Sequence, residues 1–189
     1  MAHALTGARV LLVVPLIILM LRDDRSAALL AALVLIAGIA TDVLDGVVAR
    51  RRGSASAGGG LFDHAADCLF VTAGLAAGAV RGVFPPILPV LVVVAFAQYV
   101  ADSYWVHRRR ALRTSALGRC NGILYFAPLV GDVLARVGAG AVRPAVTALA
   151  WVLVGTTVLS MAERLRAVRR ASRTAPGSPV AGTADRPRR

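Results

Sequence analysis

Apolar residues run along this chain in long blocks, interrupted at short intervals by charge or turn signals. The blocks cover approximately residues 8–21, 27–49, 61–80, 84–106, 122–142 and 144–162. The interruptions are Arg22-Asp23-Asp24-Arg25, Arg50-Arg51-Arg52-Gly53, Arg81-Gly82, His107 to Arg113, and Arg143-Pro144. An α-helix needs roughly 20 apolar residues to cross a bilayer. The pattern therefore predicts an all-α integral membrane protein with six transmembrane helices over residues 1–170 and a disordered basic tail over 171–189. The first block is short but extends toward Leu5. No small-residue cleavage site follows it before a polar mature domain, so a retained first helix is expected rather than a cleaved signal peptide.

Composition strengthens this reading. Of 189 residues, 57% are hydrophobic and only 17% charged, with a mean hydropathy of +0.69, whereas soluble domains average about 45–50% apolar. A large soluble domain, a collagen-like chain and a disulfide framework are all excluded; Cys68 and Cys120 form no Cys-x-x-Cys pair. The net charge is +12 and all 22 basic residues are Arg, so lysine Schiff-base chemistry is excluded. These Arg residues fall between apolar runs, which favours lipid headgroups over nucleic acid as partners.

Their distribution also sets an orientation. One set of loops holds Arg9, Arg50 to Arg52, Arg108 to Arg110, Arg113, Arg119 and the cluster from Arg164 to Arg173. The other holds Arg22, Arg25, Arg81 and Arg143, partly offset by Asp23 and Asp24. By the positive-inside rule the first set is cytoplasmic, which places both termini and the active site on the cytoplasmic side of the cell's inner membrane. The run from Arg164 to Arg170 is expected to continue the last helix against anionic lipid.

The chain has ten acidic residues. Four of them, Asp42, Asp45, Asp63 and Asp67, lie at the end of the second predicted helix and the start of the third. Asp42 and Asp45 are three apart and Asp63 and Asp67 four apart, so each pair shares a helix face. A short Arg- and Gly-rich connection predicts that the two helices are antiparallel neighbours, and four carboxylates then converge near the cytoplasmic edge. Carboxylates in apolar helices are costly and mark function. Gathered without cations they would repel one another. Hard oxygen ligands suit Mg²⁺ or Mn²⁺, and two such ions can bridge a diphosphate. Gly46 and Ala49 leave room for a flat base or a diphosphate. Arg50 can fork onto phosphate oxygens, and Gly53 and Gly58 to Gly60 allow a tight turn in the connecting loop.

The pattern Asp42-x-x-Asp45-Gly46-x-x-Ala49-Arg50, eight residues, Gly59, three residues, Asp63, three residues, Asp67 resembles the complete signature of the CDP-alcohol phosphotransferases, also called CDP-alcohol phosphatidyltransferases. The resemblance implies a homodimeric six-helix membrane enzyme with a pocket open to the cytoplasm and inner leaflet. It implies phosphatidyl transfer from CDP-diacylglycerol to a small alcohol, with release of CMP. Asp42, Asp45 and Asp63 would then bind metal and the donor diphosphate. Asp67 would bind the second metal or act as general base. Gly46, Ala49 and Gly59 would pack around the CDP, and Arg50 would hold its phosphates.

The opening Leu5-Thr6-x-x-Arg9 and the segment Ser115-x-x-Gly118-Arg119 are similar to the glycerophosphate-using branch, which makes glycerol 3-phosphate the best acceptor and Arg113, Ser115 and Arg119 its candidate site. Asp63-His64-Ala65-Ala66-Asp67-Cys68 departs from that branch's Asp-Pro-x-Ala-Asp-Lys, and serine, inositol phosphate and phosphatidylglycerol remain alternative acceptors. His64 is read as a helix-face hydrogen-bonding residue or a ligand contact. Tyr99, Tyr104 and Trp105 are read as an aromatic belt, His107 as interfacial and Asn121 as a helix cap. Asp102 and Asp132 are expected either to pair with Arg or to line the pocket. Three rival readings fit the sequence less well. An intramembrane prenyltransferase needs a longer chain. For an intramembrane aspartyl protease, Gly131-Asp132 supplies only a motif fragment. A small cation transporter leaves the Gly and Arg placement unexplained.

Overall fold

A computed structural model describes residues 2–52, 57–101 and 116–173. Within them the chain forms helices α1 (Ala2–Met20), α2 (Arg25–Arg52), α3 (Ala57–Val80), α4 (Ile87–Ala101), α5 (Ala116–Leu124), α6 (Phe126–Val137) and α7 (Arg143–Arg173), with a 3-10 turn at Gly140–Val142 before α7. No strand occurs among the described residues. Three segments are long and apolar enough to cross a membrane: Arg25–Leu44, Cys120–Val137 and Gly140–Ala167. Thr6–Met20 and Ile87–Ala101 are shorter apolar helices.

The helix boundaries have local causes. Asp24 caps α2: its carboxylate accepts the Ala27 N–H at 2.8 Å, and that bond holds the carboxyl below its ordinary range. α3 stops at a glycine, as the Arg81-Gly82 signal predicts. Gly82 adopts φ +76°, the Val83 N–H bonds the Gly78 carbonyl at 2.9 Å, and the Gly82 N–H bonds the Ala79 carbonyl at 2.9 Å. The apolar block over 122–142 is divided between α5 and α6. Pro128 has no N–H to give the Leu124 carbonyl, so the ladder breaks there. α5 starts at Ala116, so Asn121 lies inside it, buried, rather than capping a helix. Gly58 to Gly60 are helical residues of α3 rather than loop. α7 runs on to Arg173, carrying the Arg164–Arg170 segment as expected.

α1 is the organising element. It packs along both α2 and α3, so the expected α2–α3 pairing is replaced by a three-helix arrangement centred on α1. Direct α2–α3 approach occurs where Phe70 lies over Gly38, with room for no side chain: a Cβ there would stand 2.6 Å from the ring. Leu16, Leu35, Phe70, Leu75, Leu88, Leu129 and Leu153 are buried in the shared core. The Leu129 side chain seats against Gly74, joining α6 to α3.

One end of this core is tied by an ionic network. The Arg81 guanidinium forks onto Asp132, with both bonds at 2.9 Å, and reaches Asp23 at 2.8 Å and the Met20 carbonyl at 2.9 Å. Arg136 pairs with the same Asp132 at 3.1 Å and donates to the Arg22 carbonyl at 2.8 Å. Asp132 therefore pairs with Arg and lies away from the carboxylate cluster.

Candidate active site

The other end of α1 carries Arg9, which is fully buried. From this position the guanidinium bridges two helices. Its Nη2 lies 3.4 Å from Asp42 of α2. Its Nη1 donates to Asp63 of α3 at 3.0 Å and also to Asp67. The i, i+4 spacing of Asp63 and Asp67 aims both at one guanidinium nitrogen. The three carboxylates are half-buried: their side chains are 43%, 27% and 25% exposed for Asp42, Asp63 and Asp67. The site is thus an acidic recess with a cationic floor.

The positive-inside reading groups Arg9 with the loop arginines that set topology. It is instead a helix residue in contact with the acidic cluster. The signal available in the sequence was an Arg one turn inside an apolar block, where an unpaired charge is costly.

Asp63, His64 and Asp67 each offer a ligand atom within 4.8 Å of the others. The His64 ring stands 6.3 Å from that of Tyr99, which is buried rather than in an interfacial belt. The Arg164 guanidinium lies over the same tyrosine, 5.1 Å from the ring centroid. Gln98 donates to the Met161 carbonyl at 3.1 Å and fixes α4 against α7. These contacts extend the site's wall from α3 through α4 to α7, and spacing alone did not reveal them.

Asp45, Gly46, Ala49 and Arg50 fall in the last turns of α2, Gly59 in the first turn of α3 and Arg119 in α5; their side chains lie outside the description. Arg113 and Ser115, with Asp102, Tyr104, Trp105 and His107, lie outside the described residues. An apolar groove between α3 and α4, lined by Ala76, Val80, Pro86, Pro89 and Val93 among others, sits toward the far end of α3 and has no ionisable lining residue.

A sequence model of the family described as CDP-alcohol phosphatidyltransferase matches residues 1–165. The chain belongs to the CDP-alcohol phosphatidyltransferase family. No curated protein and no solved structure matched it. As a CDP-alcohol phosphatidyltransferase it is a membrane enzyme of phospholipid biosynthesis that transfers a substituted phosphate group to an alcohol acceptor. The family uses divalent metal ions. The residues present fit that requirement: carboxylates from two helices meet in one recess, and Asp63, His64 and Asp67 present ligand atoms close enough for one ion.

Proposed function

We propose that this CDP-alcohol phosphatidyltransferase moves the phosphatidyl group of CDP-diacylglycerol onto glycerol 3-phosphate with release of CMP, at a site that holds two Mg²⁺ or Mn²⁺ ions. The observation that carries the reading is the meeting of Asp42, Asp63 and Asp67 at one recess, since the reaction needs cations beside a diphosphate. Asp42, Asp45, Asp63 and Asp67 would hold the ions, which supply charge neutralisation at the diphosphate and at the departing phosphate.

The acceptor oxygen forms a bond to the phosphorus that carries the lipid, and the bond from that phosphorus to the CMP oxygen breaks. Asp67 takes the hydroxyl proton as the new bond forms, and CMP leaves as a phosphate monoester. No covalent enzyme intermediate is needed, so positioning and electrostatics supply the rate enhancement. Gly46, Ala49 and Gly59 would make room for the cytidine and diphosphate, and Arg50 would hold the phosphates. Arg113, Ser115 and Arg119 would take the acceptor phosphate, a role supported by their likeness to the glycerophosphate-using branch.

We place the enzyme in the cell's inner membrane as a homodimer with six spans per subunit. Both termini and the recess face the cytoplasm, and residues 171–189 form a basic tail outside the catalytic domain. The test is an acceptor panel in detergent with labelled CDP-diacylglycerol: glycerol 3-phosphate, serine, inositol, inositol phosphate and phosphatidylglycerol. Glycerol 3-phosphate should release CMP fastest, and only with Mg²⁺ or Mn²⁺ present. Faster release with another acceptor replaces the acceptor assignment, and metal-independent release removes the two-ion mechanism.

A further inference from the structure

Three ionised carboxylates gathered in one recess repel one another unless a positive charge stands among them. Arg9 resolves this conflict. Its side chain is fully buried beneath carboxylates that are each partly open to solvent, so it reaches them from inside while the outer side stays accessible. It spans the gap between α2 and α3, with Nη2 toward Asp42 and Nη1 toward Asp63 and Asp67. Each of these contacts uses one carboxylate oxygen, Oδ1 in all three, and a carboxylate has lone pairs enough to serve a second cation.

Building on the metal-dependent reading above, we propose that Arg9 is a built-in counter-cation: a positioning residue that gathers Asp42, Asp63 and Asp67 before the divalent ions arrive and then opposes those ions electrostatically. Three carboxylates against one guanidinium leave two negative charges, so an ion is still drawn in. The fixed positive charge beside the site weakens that attraction and keeps metal binding from becoming irreversible. Arg9 thus sets two quantities in opposite directions, the stability of the metal-free protein and the affinity for the ion.

The experiment uses the full chain in detergent, stripped with EDTA and titrated with Mn²⁺ alone. Free Mn²⁺ is read by electron paramagnetic resonance and unfolding by tryptophan fluorescence. Arg9→Gln should lower the melting temperature in EDTA by about 10 °C, as loss of one partner from a buried ion cluster implies. The same variant should bind Mn²⁺ about tenfold more tightly, the effect of removing one nearby positive charge. Arg9→Gln combined with Asp67→Asn should recover melting in EDTA, because it removes one negative charge together with the positive one; loss of packing alone would show no such rescue. Unchanged or weaker Mn²⁺ binding by Arg9→Gln, unchanged melting in EDTA, or no rescue in the double variant would each overturn the assignment. If Arg9→Gln folds under no condition, the double variant alone decides. Absence of Mn²⁺ binding by the unaltered protein would instead remove the metal-dependent reading on which the proposal is built.

Discussion

At the scale of single residues, the site divides into what spacing can announce and what it cannot. The Asp63–Asp67 pair is legible because helix geometry turns a spacing of four into a shared face, and the two do meet at one nitrogen of Arg9. Arg9 is not legible as their partner, since an Arg near a terminus serves membrane topology equally well and its contacts with Asp63 and Asp67 lie more than fifty residues away in sequence. The place of Tyr99 is hidden for a related reason: an aromatic near a helix end suits an interface, and only the fold brings it beside His64 and Arg164. Asp67 carries the sharpest residue-level expectation. Asp67→Asn keeps the shape of the side chain and leaves Asp63 and Asp42 on Arg9, so membrane insertion should persist. Loss of the proton acceptor should cut CMP release by roughly 10²–10⁴-fold. Full residual turnover in a labelled-donor assay would remove the base assignment.

At the scale of helices, block lengths and turn signals predicted where most elements lie, and the Arg81-Gly82 stop became a glycine C-cap with φ +76°. The α5–α6 division was hidden because residues 122–142 read as one apolar run, and the missing N–H of Pro128 interrupts the ladder without any polar signal. Helix pairing was harder still. The loop between α2 and α3 suggested direct neighbours, but hydropathy cannot tell which apolar face meets which, and α1 carries the principal packing with both. The clamp that fixes α1, α3 and α6 at the end away from Arg9 is Asp132 with Arg81 and Arg136. The Asp132 side chain is buried, at 4% exposure, between two guanidinium groups. Asp132→Ala leaves both cations without their shared carboxylate and should cost about 3–5 kcal/mol. Thermal unfolding in detergent checks this, and Asp132→Asn should lose less because an acceptor oxygen remains. Mn²⁺ affinity of the protein that stays folded should be unaltered, since the clamp and the recess lie about eleven residues apart along α1, roughly 16 Å at 1.5 Å per residue.

At the scale of the whole molecule, the two ends of the bundle differ in charge as well as in chemistry. The end that carries Asp42, Asp63 and Asp67 also receives Arg51 and Arg52 at the close of α2 and Arg164 and Arg166 on the last turns of α7. The opposite end holds Arg22, Arg25, Arg81 and the start of α7 at Arg143, and there Asp23 and Asp24 pair with Arg81 and Arg22. Counted as Arg alone, the recess end is the richer: Arg9, Arg50 to Arg52 and the Arg164–Arg173 run belong to it, against Arg22, Arg25, Arg81, Arg136 and Arg143 at the other. The positive-inside bias counts Arg near span ends, and on that ground we propose that the recess faces the cytoplasm. The prediction is one of sidedness. In a background with Cys68 and Cys120 replaced by Ser, Arg22→Cys and Arg166→Cys place one thiol at each end, at positions exposed in the fold. A membrane-impermeant maleimide added to sealed right-side-out vesicles should label Arg22→Cys at once and Arg166→Cys only after the bilayer is opened. The reverse pattern would turn the recess outward, away from the cytoplasmic pool of its substrates. Labelling of both thiols in sealed vesicles would mean that the two ends share one side of the membrane, which the antiparallel course of α1 and α2 between Arg9 and Asp42 does not allow for a spanning bundle.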